Sequence, residues 1–398
     1  MPGHAQRVCF IATSIAQEMG VSAEEQAGVF YGSLLHDIGI PLISASLTKR
    51  IGLDEHRIFG QSSSQMFDKL MVMLPQPEAE DVRSIIGTHC ELGAGYVEKL
   101  ELPESAARAI RYHHESWDGS GERGGLKGGE IPVEGRILAL AHAAETIIAR
   151  EVNALSARSA VVIATGDMAA EQLDPEIVNH FINIARRDAF WLEYYDEELA
   201  SLLNEIKPAD AQKRSRNLSV GFAENFADIV DAKCGYRAGH SRRSAELSRL
   251  LALKCGLSEE HSRLVWWASL VHDIGHLGVP SRIMAKSDIL TVEEMQIMQQ
   301  HPLHSHMVVE CLPELADVAD WVKTHHEWPD GRGYPDSLHD RSISLEAKIM
   351  AVADVFESLT SDRPYRDVME RDDALQLISR AAGTQLDPEV VRLLPQVI

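Results

Sequence analysis

Histidine is the residue that stands out. The chain has 18, many of them paired or beside aspartate. In the C-terminal half His240, His272, Asp273, His301, His325, His326 and Asp354 occur in that order. Imidazoles with a few carboxylates make a ligand set for borderline divalent metals. The adjacent pair His272 and Asp273 suits such a role, because the imidazole can bind one ion while the carboxylate bridges to a neighbour. Two ions about 3.5–4 Å apart make a nucleophile from water and clamp an in-line phosphoryl displacement. No serine or cysteine triad, Walker loop or strand-linked GxGxxG offers a competing chemistry. A lone buried histidine is more often a hydrogen-bonded core residue than a ligand, so the argument needs more than composition.

Repetition supplies it. SLLHDIG, from Ser33, recurs as SLVHDIG from Ser269. YHHESWDGSG, from Tyr112, recurs as THHEWPDGRG from Thr324, and QLDPEIV from Gln172 recurs as QLDPEVV from Gln385. The spacings repeat too. His4 to His36 and His240 to His272 are both 32 residues. His89 to His113 and His301 to His325 are both 24, while His113 to His142 and His325 to Asp354 are both 29. Only the interval from His36 to His89 differs, being 24 residues longer than its counterpart, around RIFGQSSSQMFDKLMVMLPQPEAED. Three matched intervals with matched flanking words identify a duplicated domain. The first copy therefore offers a second candidate metal set: His4, His36, Asp37, His89, His113, His114 and His142.

The elements that must carry these residues read as helices. HSRRSAELSRLLALKCG puts Ala245, Leu247, Leu250, Leu251 and Leu253 on a broad apolar face, and HSRLVWWASLVHD puts Leu264, Trp267, Ala268 and Val271 at helical spacing. Alternating β-branched runs are nearly absent. Gly39 and Gly275 are expected to stop the helices after the His-Asp pairs. A long helical pattern from Ala185 to about Glu205 and the polar stretch Lys207 to Asn217 connect the copies. The expected architecture is all-α: two tandem bundles, residues 1–184 and 219–398, joined by a helical linker over 185–218. SVGFAENFADIVDAKCGYRAG reads as a helix ahead of His240 and has no counterpart before His4; a lost leading helix or a truncated start would account for that.

Composition limits the partners. The 398 residues carry a formal net charge of −22, which argues against duplex nucleic acid, since a phosphate backbone wants a broad basic face. A small phosphate ligand is still open, because local metals and cations override the global field. No apolar run is long enough to span a bilayer, and the N-terminus lacks a signal-peptide pattern. Five scattered cysteines argue against a disulfide framework and for a reducing cytoplasm. Helical surfaces could accept a protein partner or a second copy of the chain.

HDIGHLGVP (His272 to Pro280), HHEWPDGRGYP (His325 to Pro335) and AVADVFESLTSDRPYR (Ala351 to Arg366) resemble the HD-GYP domain, a helical branch of the HD phosphohydrolase superfamily. The resemblance is close from about residue 219 onward and looser over 1–184. It implies two HD-type bundles and a metal-dependent phosphodiesterase acting on a cyclic dinucleotide, cyclic di-GMP or 3′,3′-cyclic GMP-AMP. It places the seven C-terminal residues on the metals, Fe or Mn, with Asp273 bridging. It puts Arg363 and Arg366 on the substrate phosphates and Asp330, Gly331, Gly333, Tyr334 and Pro335 in the loop that names the family. Two departures matter. His276 replaces the lysine that contacts phosphate in the family, leaving a catalytic role that a protonated or neutral imidazole would have to fill. Tyr236 stands where three-metal members have glutamate, which implies two ions.

The first copy departs further. His142 replaces the final aspartate, GSGERGG follows Asp118 in place of the GYP loop, and Glu151 and Ala154 stand where Arg363 and Arg366 are expected to bind phosphate. Imidazole is a good ligand, so metal binding there is compatible with the sequence, but the missing cations imply a degenerate domain without turnover. Three functions compete: a phosphodiesterase using the second copy, a nucleotide-binding sensor without turnover, and an HD phosphohydrolase acting on another phosphoester. The replacement at His276 keeps the second open, while the GYP loop and paired arginines argue against the third.

Overall fold

The computed structural model describes residues 3–51, 75, 76, 85, 87–100, 102–121, 125–208, 220–234, 238–310, 315–361 and 368–398. Arg363, Arg366, Tyr236, most of the insertion in the first copy and most of the polar stretch before residue 218 lie outside the described residues. Those described are helical, with no β-strand among them and three isolated bridges. The chain forms two compact units, Met1–Ile43 with His56–Asn217, and Ser44–Glu55 with Leu218–Ile398.

In the second unit the helix Val220–Cys234 precedes His240–Lys254 and Glu259–Val271. His240–Lys254 buries Ala245, Leu247, Leu251 and Ala252, and Glu259–Val271 buries Val265, Ala268, Leu270 and Val271. Ser258 starts that second helix by accepting the His261 amide, a cap of the expected chemistry. Leu345–Thr360 adds Ile349, Met350, Val352 and Ala353 to the same core. The repeated QLDPE motif explains itself locally. Asp387 accepts the amides of Glu389 and Val390 and Pro388 opens the helix, as Asp174 and Pro175 do in the first unit. These words recur because they start a helix.

Two expectations are corrected. The helices before the His-Asp pairs end at His36 and His272, ahead of the glycines, and neither Gly39 nor Gly275 has a positive φ. A Cβ on Gly275 would sit 2.1 Å from the His301 carbonyl oxygen, and one on Gly39 would sit 1.9 Å from that of His89. The glycines therefore let two backbones approach and bring the His-Asp pair onto the helix that starts with the next ligand. The pattern from Ala185 to Glu205 is likewise two helices, Asp188–Tyr194 and Leu199–Ile206. Arg187 is extended, and Asp196 Oδ1 accepts the Glu198 amide at 2.7 Å, which restarts the chain in a new direction. Phe190, Trp191, Tyr194, Leu199 and Leu203 belong to the first core.

Candidate metal centre

Helix ends deliver the candidate ligands of the second unit. His240 opens one helix, His272 ends the next, His301 opens another, and His325 ends the helix Ala319–Thr324. Asp354 comes from the middle of Leu345–Thr360. All of them are buried except His326, which is half-buried.

Asp273 is the centre of the arrangement. Its Oδ2 lies 3.4 Å from His272 Nε2 and 3.6 Å from His240 Nε2, while its Oδ1 lies 3.4 Å from His301 Nε2 and 3.3 Å from His276 Nε2. Asp354 Oδ1 stands 3.3 Å from His240 Nε2 and 3.8 Å from His272 Nε2. One carboxylate thus faces two sets of imidazoles with its two oxygens. Donor atoms within 4.8 Å of one another group His240 with His272 and Asp273, Asp273 with His276 and His301, and His301 with His325 and His326. The structure brings all seven ligand candidates together, and His276 with them.

The imidazoles are oriented for coordination. A carbonyl only accepts, so the Nδ1 atoms of His272, His301 and His325 donate to the carbonyls of Ser269, Met298 and Val322 at 2.6, 2.9 and 2.6 Å. That fixes the tautomer and leaves each Nε2 as a lone pair. The same three Nε2 atoms are buried without a hydrogen-bond partner. Buried polar atoms are rarely left so, and converging ones fit a cation. Burial first, then the neighbouring imidazoles, push the pKa values of His301 and His325 well down, and His326 falls to about 4, so these rings are neutral at pH 7. Burial opposes charge on His272 as well, yet Asp273 and Asp354 raise its pKa. Anions that draw a proton into a buried cluster mark a place built for positive charge.

Sequence reasoning missed one residue here. Glu357, one turn beyond Asp354, accepts the Nδ1–H of His240. The same carboxylate accepts Arg243 Nε at 2.8 Å and Ser361 Oγ at 2.6 Å. Burial works against its ionisation, but His240, Ser361 and Arg243 hold its pKa at about 2. A carboxylate behind a histidine aims the other ring nitrogen at a metal. The first unit repeats the device. Glu145 accepts His4 Nδ1 at 2.6 Å and Arg7 Nε at 2.9 Å. The signal was in the sequence as His-x-x-Arg and as Glu three residues past the last ligand, both duplicated.

The loop after the histidine pair closes on itself. Glu327 accepts the amides of Asp336 at 2.6 Å and Leu338 at 2.8 Å, and the Tyr334 amide donates to the His326 carbonyl at 3.1 Å. Gly333 permits this, since a Cβ there would meet the Trp328 nitrogen at 2.3 Å. The Tyr334 ring lies beside His326, centroids 4.9 Å apart, and Pro335 follows through a cis peptide. Asp330 points elsewhere: its carboxylate pairs with Arg332 at 2.6 Å, and Gly331 sits against His339.

In the first unit His4, His36 and His142 form one donor group, and His89, Cys90, His113 and His114 form another. Asp37 faces His36 at 3.2 Å and His4 at 3.9 Å, but its side chain is 39% exposed against 4% for Asp273. His142 brings no anion, and burial with the nearby His36 lowers its pKa to about 3.

A model of the HD domain matches residues 64–177 and 224–390. The chain belongs to the HD-domain family. It is 27% identical to the 3′3′-cGAMP-specific phosphodiesterase 3 of Vibrio cholerae, over 100% of this chain and 90% of that protein. It is 32% identical to the cyclic di-GMP phosphodiesterase response regulator RpfG of Xanthomonas campestris, over 49% of this chain and 50% of that one. Among solved structures, a cyclic GMP-AMP specific phosphodiesterase of V. cholerae superimposes with a TM-score of 0.68 at 25% identity, covering 100% of this chain and 92% of that one. The HD-GYP signature read from the second copy agrees with these relatives. HD-domain phosphohydrolases depend on metal, and this HD-domain chain has the donor clusters to hold it. No helix among its described residues is long and apolar enough to cross a membrane.

Proposed function

We propose that this chain hydrolyses a 3′,3′-linked cyclic dinucleotide, cyclic di-GMP or cyclic GMP-AMP, at the metal centre of its C-terminal copy, residues 219–398. The observation that carries this is Asp273, whose two oxygens face separate imidazole sets in a buried cluster. Relatives named as cyclic-dinucleotide phosphodiesterases, one aligned along the whole chain, supply the substrate class.

We assign two divalent ions, Fe or Mn, to His240, His272, Asp273, His301, His325, His326 and Asp354. When bound, they would supply a water acidic enough to attack phosphorus and charge to stabilise the departing oxygen. The protein's own groups do the rest. Glu357 holds the His240 ring, and carbonyls hold His272, His301 and His325, so the donors need no rearrangement. Tyr334, beside His326, lies where a base or ribose could rest, with Pro335, Gly331, Gly333 and Asp330 shaping its loop. Arg363 and Arg366, placed by sequence alone, would bind the phosphodiester by charge-assisted hydrogen bonds. His276 stacks on His301 with centroids 4.0 Å apart, and its Nε2 faces Asp273, so we assign it to the metal cluster in place of the phosphate contact.

The first copy, residues 1–184, then stands as degenerate, and the two helices that follow it, Asp188–Tyr194 and Leu199–Ile206, add Phe190, Trp191, Tyr194, Leu199 and Leu203 to its core. The four described cysteines, Cys9, Cys90, Cys234 and Cys255, form no disulfide, which supports a reducing cytoplasm. The acid net charge supports a small nucleotide over duplex nucleic acid, and helical faces would serve a protein partner or a homodimer. The test is to incubate Mn²⁺- or Fe²⁺-loaded protein with cyclic di-GMP and cyclic GMP-AMP and to resolve the products by chromatography. Linear dinucleotide or mononucleotide is expected. Binding of nucleotide without turnover would make the chain a sensor, and turnover of other phosphoesters alone would overturn the substrate class.

A further inference from the structure

The two units also differ at a position next to a candidate ligand. His301 is followed by Pro302, whereas the matching His89 is followed by Cys90. Cys90 is 1% exposed and opens into the same space as three histidines. Its Sγ lies 3.4 Å from His89 Nε2 and 3.9 Å from His113 Nδ1. Donor atoms of His89, Cys90, His113 and His114 all lie within 4.8 Å of one another. His113 Nδ1 donates to the Ile110 carbonyl at 2.7 Å, which leaves its Nε2 as the acceptor, and that atom is buried with no hydrogen-bond partner. The rings of His113 and His114 are held together, centroids 4.0 Å apart.

From this donor set we infer that the first unit holds a zinc ion on His89, Cys90, His113 and His114, independently of any turnover in the second unit. Three imidazoles and a thiolate make a softer site than the imidazole-carboxylate clusters of the second unit, and zinc favours such a shell. Donors at about 2.0–2.3 Å from zinc stand roughly 3.3–3.8 Å from one another in a tetrahedron. The Sγ to His89 distance already has that value, and the widest pairs need to close by about 1 Å. On binding, the Cys90 thiol gives its proton to solvent as the S–Zn bond forms. Four protein donors complete a tetrahedron and leave no open position, so the ion is structural and hydrolyses nothing. The second unit could not make the same site, because among its described residues no candidate metal group contains sulfur.

Cobalt(II) exchanged into the full chain tests this directly. A thiolate site gives a sulfur-to-cobalt charge-transfer band in the near ultraviolet, which the sulfur-free clusters cannot produce; intense visible d–d bands would add that the geometry is tetrahedral. The wild-type protein should show the band. Cys90→Ser should lose it together with one metal ion per chain by elemental analysis, and His272→Ala should keep it. Should Cys90→Ser fail to fold, His114→Gln, at a half-buried position, is expected to lose the same ion. No charge-transfer band in the wild type, a band that survives Cys90→Ser, or iron in place of zinc in this unit after native purification would each overturn the assignment.

Discussion

Glu357→Gln should loosen the metal centre without touching a ligand. Glu357 is nearly isosteric with glutamine, so the change removes the charge that His240, Arg243 and Ser361 share. The coupling can be sized. The carboxyl falls from 4.5 to about 2, and 1.36 kcal/mol per unit makes this on the order of 3 kcal/mol. The amide oxygen can still accept from His240 Nδ1, so part of that is retained. Lost outer partners of metal histidines typically weaken metal binding about 10–100-fold, roughly 1.4–2.7 kcal/mol, which lies within that limit. Chelator competition should therefore show a 10–100-fold weaker metal affinity, and excess metal should restore most of kcat. A merely structural role would lower the melting temperature with no such rescue. The pH dependence gives a second readout. A depressed carboxyl stabilises the fold above its unfolded pKa of about 4.5 and loses that contribution as pH falls toward about 2. The metal-free variant should lack that part of the acid destabilisation. A folded Glu357→Gln protein with wild-type metal affinity and unchanged kcat/KM would refute the role of Glu357 in orienting His240.

The remaining expectations concern the division of labour and the substrate. Replacing both His272 and Asp273 should abolish turnover, and replacing both His36 and Asp37 should leave most of it in protein that remains folded; the reverse result would mean the active copy is assigned backwards. Arg363→Ala should raise KM or lower kcat at least tenfold, by loss of a charge-assisted phosphate contact, and an unchanged kcat/KM would remove Arg363 from the site. His276→Ala should lower metal content, measured by elemental analysis after desalting, because His276 shares a donor group with Asp273 and His301; full metal content with impaired KM would return it to the phosphate.

The clustering of the candidate ligands was legible in the sequence because metal chemistry admits few residue types and the duplication fixes their spacing. Seven residues read from order and interval meet in one buried cluster around Asp273. What supports them was harder to see. Glu357 and Arg243 look like a solvated ion pair on helix surfaces, and only the fold brings residues 114 positions apart together. Gly39 and Gly275 look like helix stops in sequence because a close approach of two backbones leaves no mark in either segment alone. Cys90 carries no CxxC spacing, and its partner His113 lies 23 residues on.

In a duplicated chain the informative positions share a spacing and differ in residue. Asp354 against His142 removes an anion from one centre. Pro302 against Cys90 adds a soft donor to one. Arg363 against Glu151 reverses the charge expected near the phosphate. The helix ends and carbonyl partners that orient the rings recur, with His36 and His113 held by Ser33 and Ile110 as His272 and His325 are by Ser269 and Val322. The scaffold thus fixes where donors point, and the substitutions decide which ion they suit and whether an anion is tolerated beside it. An inactive copy built this way would keep its histidines for metal binding after losing the cations for substrate. That is why the number of histidines alone is a poor guide to which half turns over, and the charge around them a better one.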